Sequence, residues 1–133
     1  MKLEKLVLAA KKAREQAYAP YSGFTVGAAI LTKSGQVFVG CNVENASLGL
    51  TICAERSAVV TAIGDGEKDF EAIAIVANSN KPALPCGACR QVLAEFSPSM
   101  EVFVATTAGK QQQFSLMALL PLPKQGLFEN PDV

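Results

Sequence analysis

The stretch that decides the fold is Phe70-Glu71-Ala72-Ile73-Ala74-Ile75-Val76-Ala77, eight residues with a single charge among apolar side chains. Strict alternation would mark a strand with one wet face. This run has none, so it reads as a strand covered on both sides. Helical patterns flank it. From Cys53 to about Ile63, Ala54, Ala58, Val59 and Ala62 recur at helical spacing, and Gly64-Asp65-Gly66 ends the pattern. After a loop from Asn78 to Pro85, a second helix is predicted from Cys86 to about Phe96.

Further out, Leu3, Leu6, Val7, Ala10, Ala13 and Ala17 form one stripe of an N-terminal helix that Pro20 closes. Phe24 to Thr32 and Gln36 to Cys41, joined by Lys33-Ser34-Gly35, read as a hairpin. Asn42 to Thr51 lacks a period and reads as a structured loop. Glu101 to Thr107 is a further strand, Gln112 to Ser115 a short last one, and Leu116 to Leu120 a short helix capped by Ser115. This order predicts a three-layer α/β/α sandwich around a mixed, mostly five-stranded sheet. The 133 residues suit one domain, 1–133, with an irregular tail from about residue 121, where Pro121, Pro123 and Pro131 fall.

Composition removes several function classes. Twelve basic and twelve acidic side chains cancel, and no basic stripe or aromatic platform offers a hold on a nucleic-acid strand. The early apolar run Leu6 to Ala10 is too short to span a membrane and lacks a cleavage pattern, so a cytoplasmic location is expected. Histidine is absent, which excludes histidine bases, triads and metal ligands together. Chemistry must then run on thiols, carboxylates, hydroxyls or a bound cofactor.

Four cysteines in a reducing compartment point to metal or catalysis before disulfides. Cys86-x-x-Cys89 alone fits a redox pair, part of a structural zinc knuckle, or a catalytic metal site. A redox motif is expected after a first strand, whereas this one sits two-thirds along the chain, with Cys53 as a third thiol. A closed structural site would need a fourth ligand, for which Cys41 is available. Cys41 lies in the apolar context Gln36-Val37-Phe38-Val39-Gly40, where a lone cysteine is usually a core residue. Three ligands and one open position is the catalytic arrangement of zinc.

Three thiolates leave such a centre net negative, which resists ionisation of water. Two helix N-termini, near Cys53 and near Cys86, are expected to offset this by hydrogen bonds to the sulfurs, with Arg56 as a further compensating charge. Glu55, on the same first turn as Cys53 but directed differently, is placed to accept and return a proton without ligating. Taken by position alone, Glu55 also fits a residue that merely favours a helix N-terminus, and Arg56 an ordinary surface side chain.

Four blocks in consistent order carry a family resemblance: Phe24-Thr25-Val26-Gly27-Ala28-Ala29, Gly40-Cys41-Asn42-Val43-Glu44-Asn45-Ala46, Thr51-Ile52-Cys53-Ala54-Glu55-Arg56 and Pro85-Cys86-Gly87-Ala88-Cys89-Arg90-Gln91. The chain resembles the homotetrameric class of cytidine deaminases from about residue 2 to about residue 121. The resemblance implies one zinc on Cys53, Cys86 and Cys89, and Glu55 as the proton shuttle of hydrolytic deamination at C4 of a cytosine nucleoside. It further implies main-chain contacts to the pyrimidine edge at Ala54, Phe24 packed on the base, Asn42 and Glu44 on the sugar hydroxyls, and a homotetramer. A deaminase of a related cytosine compound, such as a nucleoside antibiotic, and a zinc-stabilised binding module without turnover are the competing readings. Two positions depart from the family pattern: Leu48 stands where an aromatic residue is common, and Leu122 to Leu127 intervene before Phe128, where a phenylalanine usually follows Leu119-Leu120-Pro121 more closely.

Overall fold

The computed structural model describes residues 2–123. Phe70–Ala77 is a strand over the range its composition predicts, and it lies at the middle of a five-stranded sheet. In chain order the elements are α1 (Lys2–Arg14), β1 (Val26–Thr32), β2 (Val37–Cys41), α2 (Ala54–Gly64), β3 (Phe70–Ala77), α3 (Gly87–Phe96), β4 (Glu101–Thr106), β5 (Gln111–Ser115) and α4 (Leu116–Leu119). A single 3-10 turn, Leu48–Leu50, interrupts the loop between β2 and α2. The strand order is β2-β1-β3-β4-β5. Only β3 and β4 run parallel, joined by the α3 crossover; the other neighbours are antiparallel, so the sheet is mixed.

Alternate residues of the central strands enter two separate cores. Val26, Ala28, Ile30, Ile73, Ile75, Val102 and Val104 meet α2, α3 and α4, together with Phe70, Leu93 and Leu116. Ala29, Leu31, Ala72, Ala74, Val76 and Ala105 meet α1 through Leu6 and Ala10. The three-layer sandwich is therefore present, with unequal layers. Strands β1 and β3 show mainly alanine and glycine to α1 because that helix lies very close: a Cβ on Gly27 would stand 2.0 Å from the Ala10 carbonyl oxygen. Isoleucine and valine fill the wider space on the other face.

Several element bounds shift for physical reasons. Helix α1 stops at Arg14, and Ala13 and Ala17 are not buried; only Leu6 and Ala10 are. Glu15, Gln16 and Ala17 close tighter i to i−3 turns, and Tyr18 then bonds the Asn42 carbonyl. Phe24 and Thr25 precede β1 because their polar backbone groups bond asparagine side chains in place of a strand ladder. Ser115 stands before α4, yet its hydroxyl makes no capping bond. Phe128 and the rest of 124–133 lie outside the described residues. No helix among the described residues is long and apolar enough to cross a membrane.

Candidate active site

Helices α2 and α3 lie on the same face of the sheet and bring their N-termini together. Cys53 is the N-cap residue of α2 and Cys86 that of α3, both with extended backbone. Cys89 follows one turn later on the buried side of α3. The three sulfurs lie within 4.8 Å of one another, and the Cys86 and Cys89 sulfurs are 3.5 Å apart. Cys41 is not part of this cluster; it ends β2, opposite Gly27 of β1. The fourth thiolate of a closed site is therefore not supplied by Cys41.

The geometry suits zinc. Tetrahedral zinc with Zn–S bonds of about 2.3 Å requires sulfurs roughly 3.8 Å apart, close to the spacing found. The donor set is soft, three-membered and backed by a cation, which leaves one position open.

That cation is Arg56, whose Nη2 donates to Cys53 Sγ at 3.3 Å. Its Nε is buried and has no hydrogen-bond partner among the described residues. Hydrogen bonding from Cys89 and from Arg56 draws the Cys53 thiol down to about 5. Cys89 moves the opposite way, pushed up by its bond to Cys53 and by burial. The cluster thus carries thiolate at Cys53 near neutral pH. One expectation is corrected here. Neither Cys53 nor Cys86 accepts a capping bond through its sulfur, so the compensating hydrogen bond on Cys53 comes from Arg56 and Cys89 rather than from first-turn amides. The aligned helix dipoles still favour negative charge at both N-caps.

Glu55 occupies the second position of α2 and is 6% exposed. Burial pushes its carboxyl above the ordinary range, and the neighbouring Cys53 charge adds to this. Ala54 beside it is fully buried.

The depth of α2 is set by β2. A Cβ on Gly40 would fall 2.4 Å from the Ala58 nitrogen and 2.8 Å from the Ala54 carbonyl oxygen. No side chain fits between β2 and the first turns of α2, so Gly40 fixes where Cys53 and Glu55 stand.

A cavity of about 230 Å³ opens over the thiols, with Cys53, Ala54, Glu55 and Cys86 on one side and Phe24, Asn42 and Glu44 on the other. Phe24, Asn42, Glu44, Cys53, Ala54, Glu55 and Cys86 thus share one cavity, Cys89 joins them through the thiol cluster, and Arg56 stands behind Cys53. Asn42 and Glu44 also hold their surroundings. The Asn42 side chain accepts from the Val26 N–H at 2.9 Å and donates to the Phe24 carbonyl at 2.7 Å. Glu44 Oε1 accepts from the Tyr21 and Ser22 N–H groups at 3.0 and 3.2 Å, and Oε2 accepts from the Ser22 hydroxyl. These donors, the Ser22 hydroxyl foremost, hold the Glu44 carboxyl below its ordinary range. One N–H of Asn42 and the outer lone pairs of Glu44 remain for a ligand.

Three residues carry more of the site than the sequence indicated. Arg90 donates from Nε to the Pro85 carbonyl at 2.8 Å and from Nη1 to the Leu119 carbonyl at 3.1 Å, tying the Cys86 loop to the end of α4. Ala83 and Leu84 supply the outer apolar wall. Their loop has no period, and no local signal marks either contribution.

The model of the cytidine and deoxycytidylate deaminase zinc-binding region matches residues 1–106. The chain belongs to that family. A cytidine deaminase from Sporosarcina psychrophila is 47% identical over 134 residues, which span 100% of this chain and 96% of the relative. A crystal structure of cytidine deaminase from Burkholderia pseudomallei superposes with a TM-score of 0.87 at 51% identity, covering 91% of this chain and 98% of that one. One from Mycobacterium tuberculosis gives a TM-score of 0.81 at 39% identity, covering 96% and 99% of the two chains. The three-cysteine cluster is the zinc site of this family member.

Proposed function

We propose that the protein is a zinc-dependent hydrolase that converts cytidine and 2'-deoxycytidine to uridine and 2'-deoxyuridine with release of ammonia. The observation that carries this reading is the placement of buried Glu55 beside a three-thiol cluster, with Glu55, Cys53 and Cys86 on the wall of one cavity that Phe24, Asn42 and Glu44 also line. A purely structural zinc site has no use for a buried carboxylate, whose desolvation must be offset by function or partners.

Cys53, Cys86 and Cys89 would hold the ion, which supplies the Lewis acidity that brings ionisation of water towards neutral pH. Glu55 takes the proton that water gives up and passes it to N3 of the pyrimidine as the oxygen bonds to C4. A second transfer through Glu55 carries the proton of the new C4 hydroxyl to the exocyclic nitrogen; the C4–N bond breaks, ammonia leaves and C4 keeps a carbonyl oxygen. Burial raises the Glu55 carboxyl above the ordinary range, which favours a group that takes up a proton and returns it. Ala54 offers main-chain groups to the pyrimidine edge, and Phe24 packs against the ring. Asn42 and Glu44 use their remaining donor and acceptor capacity on the sugar hydroxyls. Arg56 keeps the Cys53 sulfur anionic and in place.

The cavity is small for a nucleoside, since ligand pockets commonly span about 300–1,000 Å³. Closure by neighbouring subunits of a homotetramer accounts for the missing wall. Leu48, 78% exposed on its 3-10 turn, is a candidate for that contact. The same reading treats 1–133 as one catalytic domain working in the cytoplasm. The test is to mix zinc-loaded protein with cytidine and follow its ultraviolet absorbance. Conversion to uridine is expected; absence of turnover with both cytidine and deoxycytidine refutes the reading.

A further inference from the structure

We infer that Asn78 is a positioning residue that fixes Phe24 against the substrate ring, an inference that rests on the proposed reading of Phe24 as the base-packing side chain. Asn78 is the first residue beyond β3 and does not line the cavity. Its side chain spans Phe24 from outside. Oδ1 accepts from the Thr25 N–H at 3.1 Å, and Nδ2 donates to the Gly23 carbonyl at 3.1 Å. Its backbone N–H donates to the Thr25 carbonyl at 3.3 Å.

Asn42 completes the hold from the other side by bonding the Phe24 carbonyl and the Val26 N–H. The Phe24 N–H donates to Ser22 Oγ at 2.9 Å. The Gly23 N–H reaches the Ala19 carbonyl, and the Val26 carbonyl accepts from the Asn42 N–H. Every backbone donor and acceptor from Gly23 to Val26 therefore has a partner. Gly23 sits at φ +70°, a left-handed conformation that this pairing helps to hold.

The requirement is chemically narrow. One planar group must accept from residue 25 and donate to residue 23. An amide does both, a carboxylate can only accept, and an aliphatic side chain does neither. Without Asn78, the turn carrying Phe24 has to be ordered when substrate binds, which weakens binding without touching the proton-transfer groups.

The test uses the zinc-loaded full chain with Asn78→Ala and Asn78→Asp. Asn78→Ala is expected to raise KM for cytidine about three- to tenfold with kcat within about twofold, the size of one or two lost hydrogen bonds. Zinc content stays at the wild-type level, amide hydrogen exchange at Thr25 quickens, and Asn78→Asp falls between the two. An unmoved KM in Asn78→Ala, or a kcat loss that tracks zinc loss, overturns the positioning role while leaving the functional reading intact. Wild-type protein that does not turn over cytidine refutes the functional reading itself, and the positioning role with it.

Discussion

Arg56 reaches back one helical turn to place Nη2 3.3 Å from the Cys53 sulfur. The contact joins the charge that three thiolates accumulate to the only guanidinium that bonds a sulfur among the described residues. A neutral partner would leave the metal centre more electron-rich and its water less acidic. Arg56→Gln should therefore lower kcat/KM for cytidine about 10–100-fold, the usual cost of removing a partner that orients a metal ligand. It should also speed zinc transfer to a chromophoric chelator. Unchanged zinc transfer together with unchanged kcat/KM would show that the contact is dispensable.

Gly40 gives a prediction about packing and chemistry together. A methyl group at that position meets backbone atoms of Ala58 and Ala54, which cannot rotate away. Gly40→Ala should destabilise the fold by about 1–3 kcal/mol in denaturant unfolding. Because α2 carries Cys53 and Glu55, the shift should also lower zinc affinity. A variant with wild-type stability and wild-type zinc affinity would mean that α2 moves freely over β2.

Glu44 provides the pH-dependent case. Its carboxyl is lowered from the ordinary 4.5, first by the Ser22 hydroxyl. A depressed acid stabilises the fold above its unfolded value, and this contribution disappears as pH falls through the folded value. The Tm difference between wild type and Glu44→Gln should therefore be present at pH 7 and shrink as the pH drops below about 4.5. A Tm difference that is constant from pH 7 to pH 3 would contradict the carboxylate's role in holding the Tyr21–Ser22 turn.

Local pattern carried the sheet and the thiols. The apolar run of Phe70–Ala77, interrupted only by Glu71, matches the bounds of β3, and the helices after Cys53 and Cys86 start within one residue of where their composition places them. The helix-spaced pair Cys86 and Cys89 needs little tertiary information to converge. Other features were set at long range. The end of α1 depends on Tyr18 pairing with Asn42, and the loop state of Phe24 on Asn42 and Asn78, 18 and 55 residues from the backbone atoms they bond. The expected amide bonds to the Cys53 and Cys86 sulfurs are not made, and Cys53 is bonded by the Arg56 side chain. Nothing in a periodic reading distinguishes an asparagine that faces ligand from one that holds the wall, and here Asn42 lines the cavity while bonding two backbone groups.

Glu55 moves the protons of the reaction without serving as a ligand in the three-thiol zinc site. Glu55→Gln preserves size and leaves all three cysteines untouched, so it isolates that role. Zinc stoichiometry and single-turnover rate with cytidine should be measured on one preparation. Glu55→Gln is expected to hold one zinc per chain, as in the wild type, and to react about 10²–10⁴-fold more slowly or worse. Full zinc content with a near-normal rate would contradict the proton-transfer role.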